Sequence, residues 1–240
     1  MKEYVFTVEY PTGAGALSDV FIEHPDAMSK TIACVVSDDS MWRVDRMTGP
    51  EPAVDAIEAC ALDPEQCNEC PGAGCPSHRE HEVLSRDATS CTYYTYRTDI
   101  DRCPSLPSLA AEHLGDGVLY EALRRGDGYT WRVLVRKDAN VGRLFDALQG
   151  AYPEGVTVSL SHLRSPTHWG DEAISIADLP YEQREALEVA VAHGYYATPR
   201  EANLNEIAER IDVPQSTLQY RLQRAESWLA NNFVAECLEP

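Results

Sequence analysis

Four cysteines lie close together in the first half of the sequence, and their type and spacing predict a metal site. Cys60, Cys67, Cys70 and Cys75 follow the pattern Cys-x6-Cys-x2-Cys-x4-Cys. Thiolates are soft ligands that suit zinc and iron–sulfur clusters, and four of them complete a tetrahedral zinc site or a [4Fe–4S] cluster. We therefore predict these four as metal ligands. The alternative is a thiol-rich loop with unrelated cysteines or a reversible disulfide.

Residues outside this group extend the possible ligand set. His78, His81 and Cys91 follow in the sequence and are additional candidate ligands, as is Cys103. Cys34 lies in an apolar segment and is expected in the core. The start of the chain shows no signal-peptide core, and no apolar run reaches the ~18 residues of a membrane helix. We expect a cytoplasmic protein with no membrane contact and no disulfide framework.

A second group of chemically suited residues lies near the end of the chain. Asn203 and Glu206 form a capping-box pattern at the start of one helix, and the segment 212–214 predicts a tight turn before a second helix. Such a pair is typical of a helix-turn-helix, whose second helix enters the major groove of double-stranded DNA. Leu218, Leu222 and Ala225 form the expected buried stripe of that helix.

The predicted second helix has side chains that suit base edges and phosphates. Gln and Ser can pair with base edges, while Arg221 and Arg224 can reach phosphate. The alternative is a plain helical hairpin used for dimerisation. The predicted DNA-contacting residues are Gln215, Ser216, Thr217, Gln219, Tyr220, Arg221, Gln223 and Arg224.

The charge of the chain is unusual for a DNA-binding protein. It has 39 acidic against 20 basic residues, a net charge of −19, and its lysines are scarce. This balance is typical of a salt-adapted protein, and we expect it to unfold at low salt. The segment Pro214–Ala225 has two arginines and no acidic residue. It is locally basic, which favours DNA binding there.

The apolar pattern of the chain predicts an α+β domain around the cysteines, followed by a helical region. Apolar patterns over residues 91–160 indicate the order β-α-β-β-α-β, which is ferredoxin-like. The first half has a weaker copy of this pattern, so we predict a ferredoxin-like, possibly duplicated fold with a cysteine-rich insertion. The expected boundaries are 1–164 for the α+β sensor domain, about 60–90 for its insertion, 165–178 for a linker, 179–234 for the helix-turn-helix and 235–240 for a tail.

The helical region resembles the helix-turn-helix of the haloarchaeal bacterio-opsin activator family. The segments Glu182–Leu187 (EQREAL), Gly194–Tyr196 (GYY) and Pro199–Glu201 (PRE) carry the resemblance. It implies a sequence-specific transcriptional regulator that binds promoter DNA as a homodimer. Asp212 stands where the family usually has Gly, and Asp tolerates the left-handed conformation better than most residues. Leu179-Pro180-Tyr181 stands where the family usually opens with Thr-Pro.

The resemblance also includes haloarchaeal regulators of nitrate and dimethyl sulfoxide respiration, which join a cysteine motif to this helix-turn-helix and respond to low oxygen. It therefore favours an iron–sulfur cluster over zinc and implies a sensor of oxygen or redox state. The alternative is a regulator with structural zinc, whose α+β domain binds a small molecule or a protein. An enzyme is not expected. The sequence His78-Arg79-Glu80 matches the H-x-E of zinc deaminases, but its Cys-x2-Cys partner comes before it instead of after it.

Overall fold

The computed structural model describes residues 1–68, 70, 75, 77–100, 103–115, 117–136, 139–164 and 178–237. The chain divides into two compact units, Met1–Thr167 and His168–Pro240. The predicted linker, residues 165–178, lies almost entirely outside the described residues. The first unit contains β1 Lys2–Glu9, α1 Ala16–Glu23, β2 Met28–Val36, β3 Ser40–Thr48, α2 Glu51–Ala61, β4 His78–Asp87, β5 Ser90–Thr98, α3 Leu106–Leu114, β6 Leu119–Arg125, β7 Gly128–Val135, α4 Val141–Ala151 and β8 Thr157–Arg164.

The first unit is an α+β fold built around an eight-stranded antiparallel sheet, which confirms the predicted class. Its element order is β-α-β-β-α-β repeated twice, first over β1–β4 and then over β5–β8. The strand order across the sheet is β4-β5-β3-β2-β6-β7-β1-β8. Each half of the sheet therefore has the 4-1-3-2 order of a ferredoxin-like unit, but the first strands β1 and β5 are exchanged between the halves.

The exchange ties the two repeats together by backbone hydrogen bonds. β1 pairs with β7 and β8 of the second repeat, and β5 pairs with β3 and β4 of the first. Each half of the sheet therefore contains three strands of one repeat and one strand of the other. As a consequence, the loop before β4 lies at the same end of the sheet as residues that follow β5, because these antiparallel neighbours begin and end beside each other.

Two hydrophobic cores fill the space between the sheet and its helices. One contains Leu17 and Phe21 of α1 with Val54 and Ile57 of α2. The other contains residues of α3 and α4 packed against β1, β6 and β7. Helix α1 contacts α2, and α3 contacts α4. The apolar periodicity of these four helices, with buried positions recurring every three or four residues, explains why they form and which face they bury.

The structure differs from the prediction at the end of the cysteine-rich insertion. Residues 78–87 form the edge strand β4, so the cysteine-rich insertion ends before His78 instead of near residue 90. It lies between α2 and β4 within the first repeat. In the second repeat, α4 runs through Gly150 to Ala151. Gly150 is not among the glycines with a positive φ.

The second unit contains three described helices, α5 Tyr181–Ala192, α6 Leu204–Arg210 and α7 Gln215–Cys237. Ala186, Ala190, Ile207, Leu218 and Leu222 are all buried together. Helix α7 runs through Cys237, so the first residues of the predicted tail are helical. No helix within the described ranges is long and apolar enough to cross a membrane.

Candidate metal centre and nucleic-acid interface

Four thiols meet on the first unit where the cysteine-rich insertion joins the sheet. The Sγ atoms of Cys67, Cys70, Cys75 and Cys103 all lie within 4.8 Å of one another. Cys70 and Cys103 are buried, and Cys67 and Cys75 are half-buried. Three of these residues are among the predicted ligands. Cys103, which the sequence marks only as a further candidate, occupies the place expected for Cys60.

Two connections supply these thiols. Cys67, Cys70 and Cys75 come from the connection between α2 and β4, and Cys103 comes from the connection between β5 and α3. The backbone N–H of Cys103 donates to the carbonyl of Ile100 at 2.9 Å, a residue shortly after the end of β5. Ser105 then caps α3 by accepting from the N–H of Ser108. The fold of β5 and α3 thus fixes Cys103, and the insertion brings the other three thiols to it.

Hydrogen bonds among the four thiols shift their pKa values in opposite directions. Hydrogen bonds from Cys103, Cys70 and Cys75 lower the pKa of Cys67 well below its ordinary range. The hydrogen bond from Cys103 is also the main cause that lowers the pKa of Cys75 to about 5. The pKa values of Cys70 and Cys103 are raised, chiefly because these thiols donate within the group, and burial adds to the shift. The hydrogen bonds thus favour the thiolate form of Cys67 and Cys75 and the thiol form of Cys70 and Cys103.

The structure places Cys60 away from this group. It lies in the last turn of α2, packs against the core between α1 and α2, and its thiol is 3.8 Å from Oε1 of Gln66. Burial raises its pKa. The direction of the Cys60 side chain is fixed by α2. Its closeness to Cys67 in the sequence therefore does not bring the two sulfurs together.

The other additional candidates also lie outside the four-thiol group. His78 is exposed on the edge strand, 3.8 Å from Glu80. His81 pairs through Nδ1 with the Thr95 hydroxyl at 3.0 Å, and burial and the nearby arginines lower its pKa. Cys91 is fully buried in the core of α1 and α2, where burial raises its pKa to about 11.

A pocket opens beside the thiols. It contains about 240 Å³ of space, part of it open solvent. Its wall includes Cys67 and Cys70, the first turn of α1, and the buried Arg124. The guanidinium of Arg124 donates to the Ser18 hydroxyl at 2.6 Å and lies over the rings of Tyr10 and Tyr129. This pocket connects the thiol group with solvent.

The donor set fits a metal ion. Four thiols from two connections, two of them with lowered pKa values, match the preference of zinc or iron for tetrahedral sulfur coordination. A tetrahedron with metal–sulfur bonds of about 2.3 Å has sulfur–sulfur edges of about 3.8 Å. The four sulfurs lie within 4.8 Å of one another and could hold a metal ion. In a [4Fe–4S] cluster each thiolate binds a different iron, so the sulfurs must stand further apart.

The second unit has the geometry of a helix-turn-helix. The predicted capping box at Asn203 and Glu206 is confirmed. Asp212 in the turn has φ 51°, so it does take up the left-handed conformation. Leu218, Leu222 and Ala225 are buried, as predicted.

Most of the predicted DNA-contacting residues on α7 are exposed to solvent. Thr217 and Arg221 are partly buried, and the other six are exposed: Gln215, Ser216, Gln219, Tyr220, Gln223 and Arg224. Nη1 of Arg221 donates to Oε2 of Glu185 on α5 at 3.2 Å, so this side chain also joins α7 to α5.

The unusual GYY and PRE segments have a structural explanation. Gly194 has φ 71° and ends α5, and a Cβ there would lie 2.7 Å from Cβ of Glu201. Arg200 stacks over the ring of Tyr195 at 4.5 Å. The hydroxyl of Tyr196 donates to Glu226 of α7 at 2.6 Å. These contacts fix the connection between α5 and α6 and tie it to the second helix of the motif.

Comparison with known proteins gives one family match for the α+β part of the chain and a second for its helical part. Residues 3–169, more than half of the chain, match the family HVO_2928_N, described as N-terminal. The chain belongs to the HVO_2928_N family. Residues 179–231 of this HVO_2928_N-family chain match HTH_10, an HTH DNA binding domain, which is of the bacterio-opsin activator type.

Relatives of this HVO_2928_N-family chain are named as transcriptional regulators. It is 39% identical over 90 residues to the dimethyl sulfoxide reductase transcriptional activator of Halobacterium salinarum, over 33% of this chain and 39% of that protein. It is 28% identical over 191 residues to the activator of the same name from Haloferax volcanii, over 77% of this chain and 80% of that protein. Transcriptional regulator NarO of Haloferax volcanii is 40% identical over 57 residues, 24% and 27% of the two chains.

Proposed function

We propose that this chain is a sequence-specific transcriptional regulator that binds promoter DNA as a homodimer and carries a metal ion on Cys67, Cys70, Cys75 and Cys103. The observation that carries the DNA-binding part is the match of residues 179–231 to a DNA-binding domain. The convergence of four thiols supports the metal part. Dimerisation follows from the paired half-sites that helix-turn-helix proteins read.

The exposed start of α7 supports a direct role in reading bases. Gln215 and Gln219 are exposed there, and glutamine side chains pair with the base edges of adenine in the major groove. Arg224 is also exposed and is the phosphate contact in this proposal. Arg221 acts by positioning α7 through Glu185.

The metal ion in this proposal is a single tetrahedral ion such as zinc, and it responds to redox state through its ligands. Sγ of Cys70 and Sγ of Cys103 are 3.1 Å apart, and a disulfide needs about 2.05 Å. When hydrogen peroxide oxidises these two residues as thiolates, a sulfur–sulfur bond forms and the peroxide O–O bond breaks. The two electrons reduce the peroxide oxygens, which take up two protons from solvent and leave as two waters. Only Cys67 and Cys75 would then remain as thiolate ligands, which would favour release of an ion.

Release of the ion disconnects two parts of the fold. In the loaded protein the ion joins the connection before β4 to the connection after β5, which belong to different repeats. We propose that this change alters the affinity of the dimer for its operator. Since the relatives are named activators of dimethyl sulfoxide reductase, a respiratory gene that is needed when oxygen is low is a suitable target class.

The test is anaerobic purification at high salt, followed by zinc, iron and acid-labile sulfide analysis and a visible spectrum. We expect one zinc per chain, no sulfide and no colour, and release of zinc on peroxide treatment. Iron with equimolar sulfide and a brown colour would replace the zinc site with an iron–sulfur cluster. Absence of both metals from protein that still has four reduced thiols would overturn the metal part.

A further inference from the structure

Arg124 on β6 is a buried cation whose charge is not paired with an acidic side chain. It is 5% exposed, and among the described residues no carboxylate forms an ion pair with it. Its guanidinium lies over the rings of Tyr10, Phe21 and Tyr129, with 5.0–5.2 Å between Cζ and the ring centroids. The rings attract the cation but supply no negative charge, and buried charges are normally paired. An anion beside this guanidinium would therefore be stabilised.

Hydrogen-bond donors of Arg124 remain available at the pocket beside the thiols. Nη2 donates to the Ser18 hydroxyl at 2.6 Å. Nε and Nη1 have no acceptor among the described residues, and neither of these nitrogens is fully enclosed by protein. Arg124 belongs to the wall of the pocket, so these donors reach solvent there. A guanidinium presents its N–H groups as a planar fork, which matches the two oxygens of a carboxylate.

The first turn of α1 adds a second group of donors to the same pocket. Residues 15–18 belong to its wall. The N-cap of α1 is Gly15, which has no side chain to cap the helix, so N–H groups of the first turn have no intrahelical acceptor. A helix N-terminus also carries a partial positive charge that favours anions. The acidic residue of this turn, Asp19, accepts from the N–H of Gly13 at 2.7 Å and forms no ion pair with Arg124.

We propose that this pocket binds a small carboxylate, whose oxygens accept hydrogen bonds from Arg124 and from the first turn of α1. The pocket contains about 240 Å³, part of it open solvent, which limits the ligand to a small molecule. The site is formed by α1 and β6 and does not depend on the proposed metal ion. Cys67 and Cys70 belong to the same wall, so the bound carboxylate lies next to the connection that carries the thiols. The regulator thus has a second input, a small organic acid, in addition to its thiols.

The test is saturation-transfer NMR of acetate with the reduced full chain in concentrated potassium chloride. Acetamide is the control ligand, because it has the same shape but no charge. We expect acetate to bind and acetamide not to bind. Arg124→Gln should weaken acetate binding about tenfold or more, which corresponds to one hydrogen bond to a charged group. Arg125→Gln is the matched control and should bind acetate like the wild type, because Arg125 is exposed at the next position of β6 and donates to the carbonyl of Pro25 at 3.1 Å.

A second pair of variants keeps Arg124 and decides the question if Arg124→Gln does not fold. Gly15 has an extended backbone with φ 177°, and a Cβ added there would lie 3.8 Å from Oγ of Ser18, so larger side chains fit. Gly15→Asp places a carboxylate of the chain itself in the site, so acetate binding should be lost and the thermal midpoint should rise. Gly15→Asn caps the helix about as well but adds no charge, so the midpoint should rise less.

Three results would overturn the proposal. The first is a wild-type chain that does not bind acetate, in which case Arg124 has a structural role only. The second is equal acetate binding by the wild type and by either Arg124→Gln or Gly15→Asp. The third is displacement of bound acetate by sulfate at equal concentration, which would make the pocket a general anion site and not a carboxylate site.

Discussion

Sγ of Cys70 and Sγ of Cys103 are 3.1 Å apart, although 33 positions separate these residues in the sequence. The strand β5 lies between them in the chain, and it pairs with two strands of the other repeat. The strand exchange therefore brings a ligand of the second repeat to the insertion of the first. The metal centre, as proposed, is a link between repeats.

Replacement of Cys103 by Ser should remove tight metal binding as completely as replacement of Cys70. A missing ligand leaves the tetrahedron open, so zinc affinity should fall by more than the roughly 100-fold that loss of an outer hydrogen-bond partner can cost. Cys60→Ser is the matched control and should bind zinc like the wild type. Chelator competition measures all three variants. Loss of zinc from Cys60→Ser together with retention in Cys103→Ser would show that the sequence spacing, and not the fold, defines the ligands.

Metal binding should release about two protons per ion near neutral pH. The pKa values of Cys70 and Cys103 are raised, while that of Cys75 is lowered to about 5 and that of Cys67 still further. Zinc must displace the protons of the first two thiols. Its apparent affinity should therefore rise about 100-fold per pH unit at neutral pH and fall as the solution becomes more acidic. Titration in buffers from about pH 6 to about pH 8 measures this slope. A slope of zero would mean that all four are already thiolates.

The sequence predicts the ligand type better than the ligand set. Cys67, Cys70 and Cys75 share one short connection, so their proximity is a local property that spacing can indicate. Cys103 joins them only because β5 pairs beside β4, and strand pairing between distant segments leaves no local pattern. A prediction from sequence spacing alone also counts Cys60 as a ligand. This residue instead belongs to α2 and packs against the core between α1 and α2.

The strand β4 shows why part of the fold escapes prediction. It is an edge strand on which most side chains are exposed, so it lacks the alternation of buried and exposed residues that identifies half-buried strands. The repeated β-α-β-β-α-β order is visible in the apolar pattern, whereas the exchange of β1 and β5 is not. The buried positions alternate along β1 and along β5, and this alternation does not indicate which strands they pair with.

Replacement of Gln219 by Ala should weaken specific DNA binding by about 1–3 kcal/mol, the value of one good base contact. Gln219 is exposed in the first turns of α7, where helix-turn-helix proteins contact base edges. Asn231→Ala on the same helix is the control, because residue 231 is exposed about three turns further along. Competition with non-specific DNA at fixed high salt measures the specific part. Equal losses in both variants would contradict the assignment of the reading surface.

Replacement of Gly194 by Ala should lower the free energy of unfolding by about 1–3 kcal/mol, since it combines a left-handed backbone with a steric clash. Gly194 has φ 71°, and an added Cβ would be 2.7 Å from Glu201. Gly150→Ala is the opposite case: Gly150 is within α4 and a Cβ added there would have nothing within 4 Å, so Ala should stabilise by up to about 1 kcal/mol. Chemical denaturation of the full chain at high salt tests both. Equal effects of the same sign would contradict the described turn.

The central claim, that occupancy of the four-thiol centre controls sequence-specific DNA binding, is tested most directly by selection from a pool of random duplexes. The zinc-loaded protein is used for selection at high salt, and the enriched duplex is then measured with loaded, peroxide-treated and re-reduced, zinc-reloaded protein. We expect enrichment of a sequence with two related half-sites, a change of affinity for it on peroxide treatment, and recovery of the original affinity on reloading. Failure to enrich any sequence, or equal affinity in all three states, would contradict it.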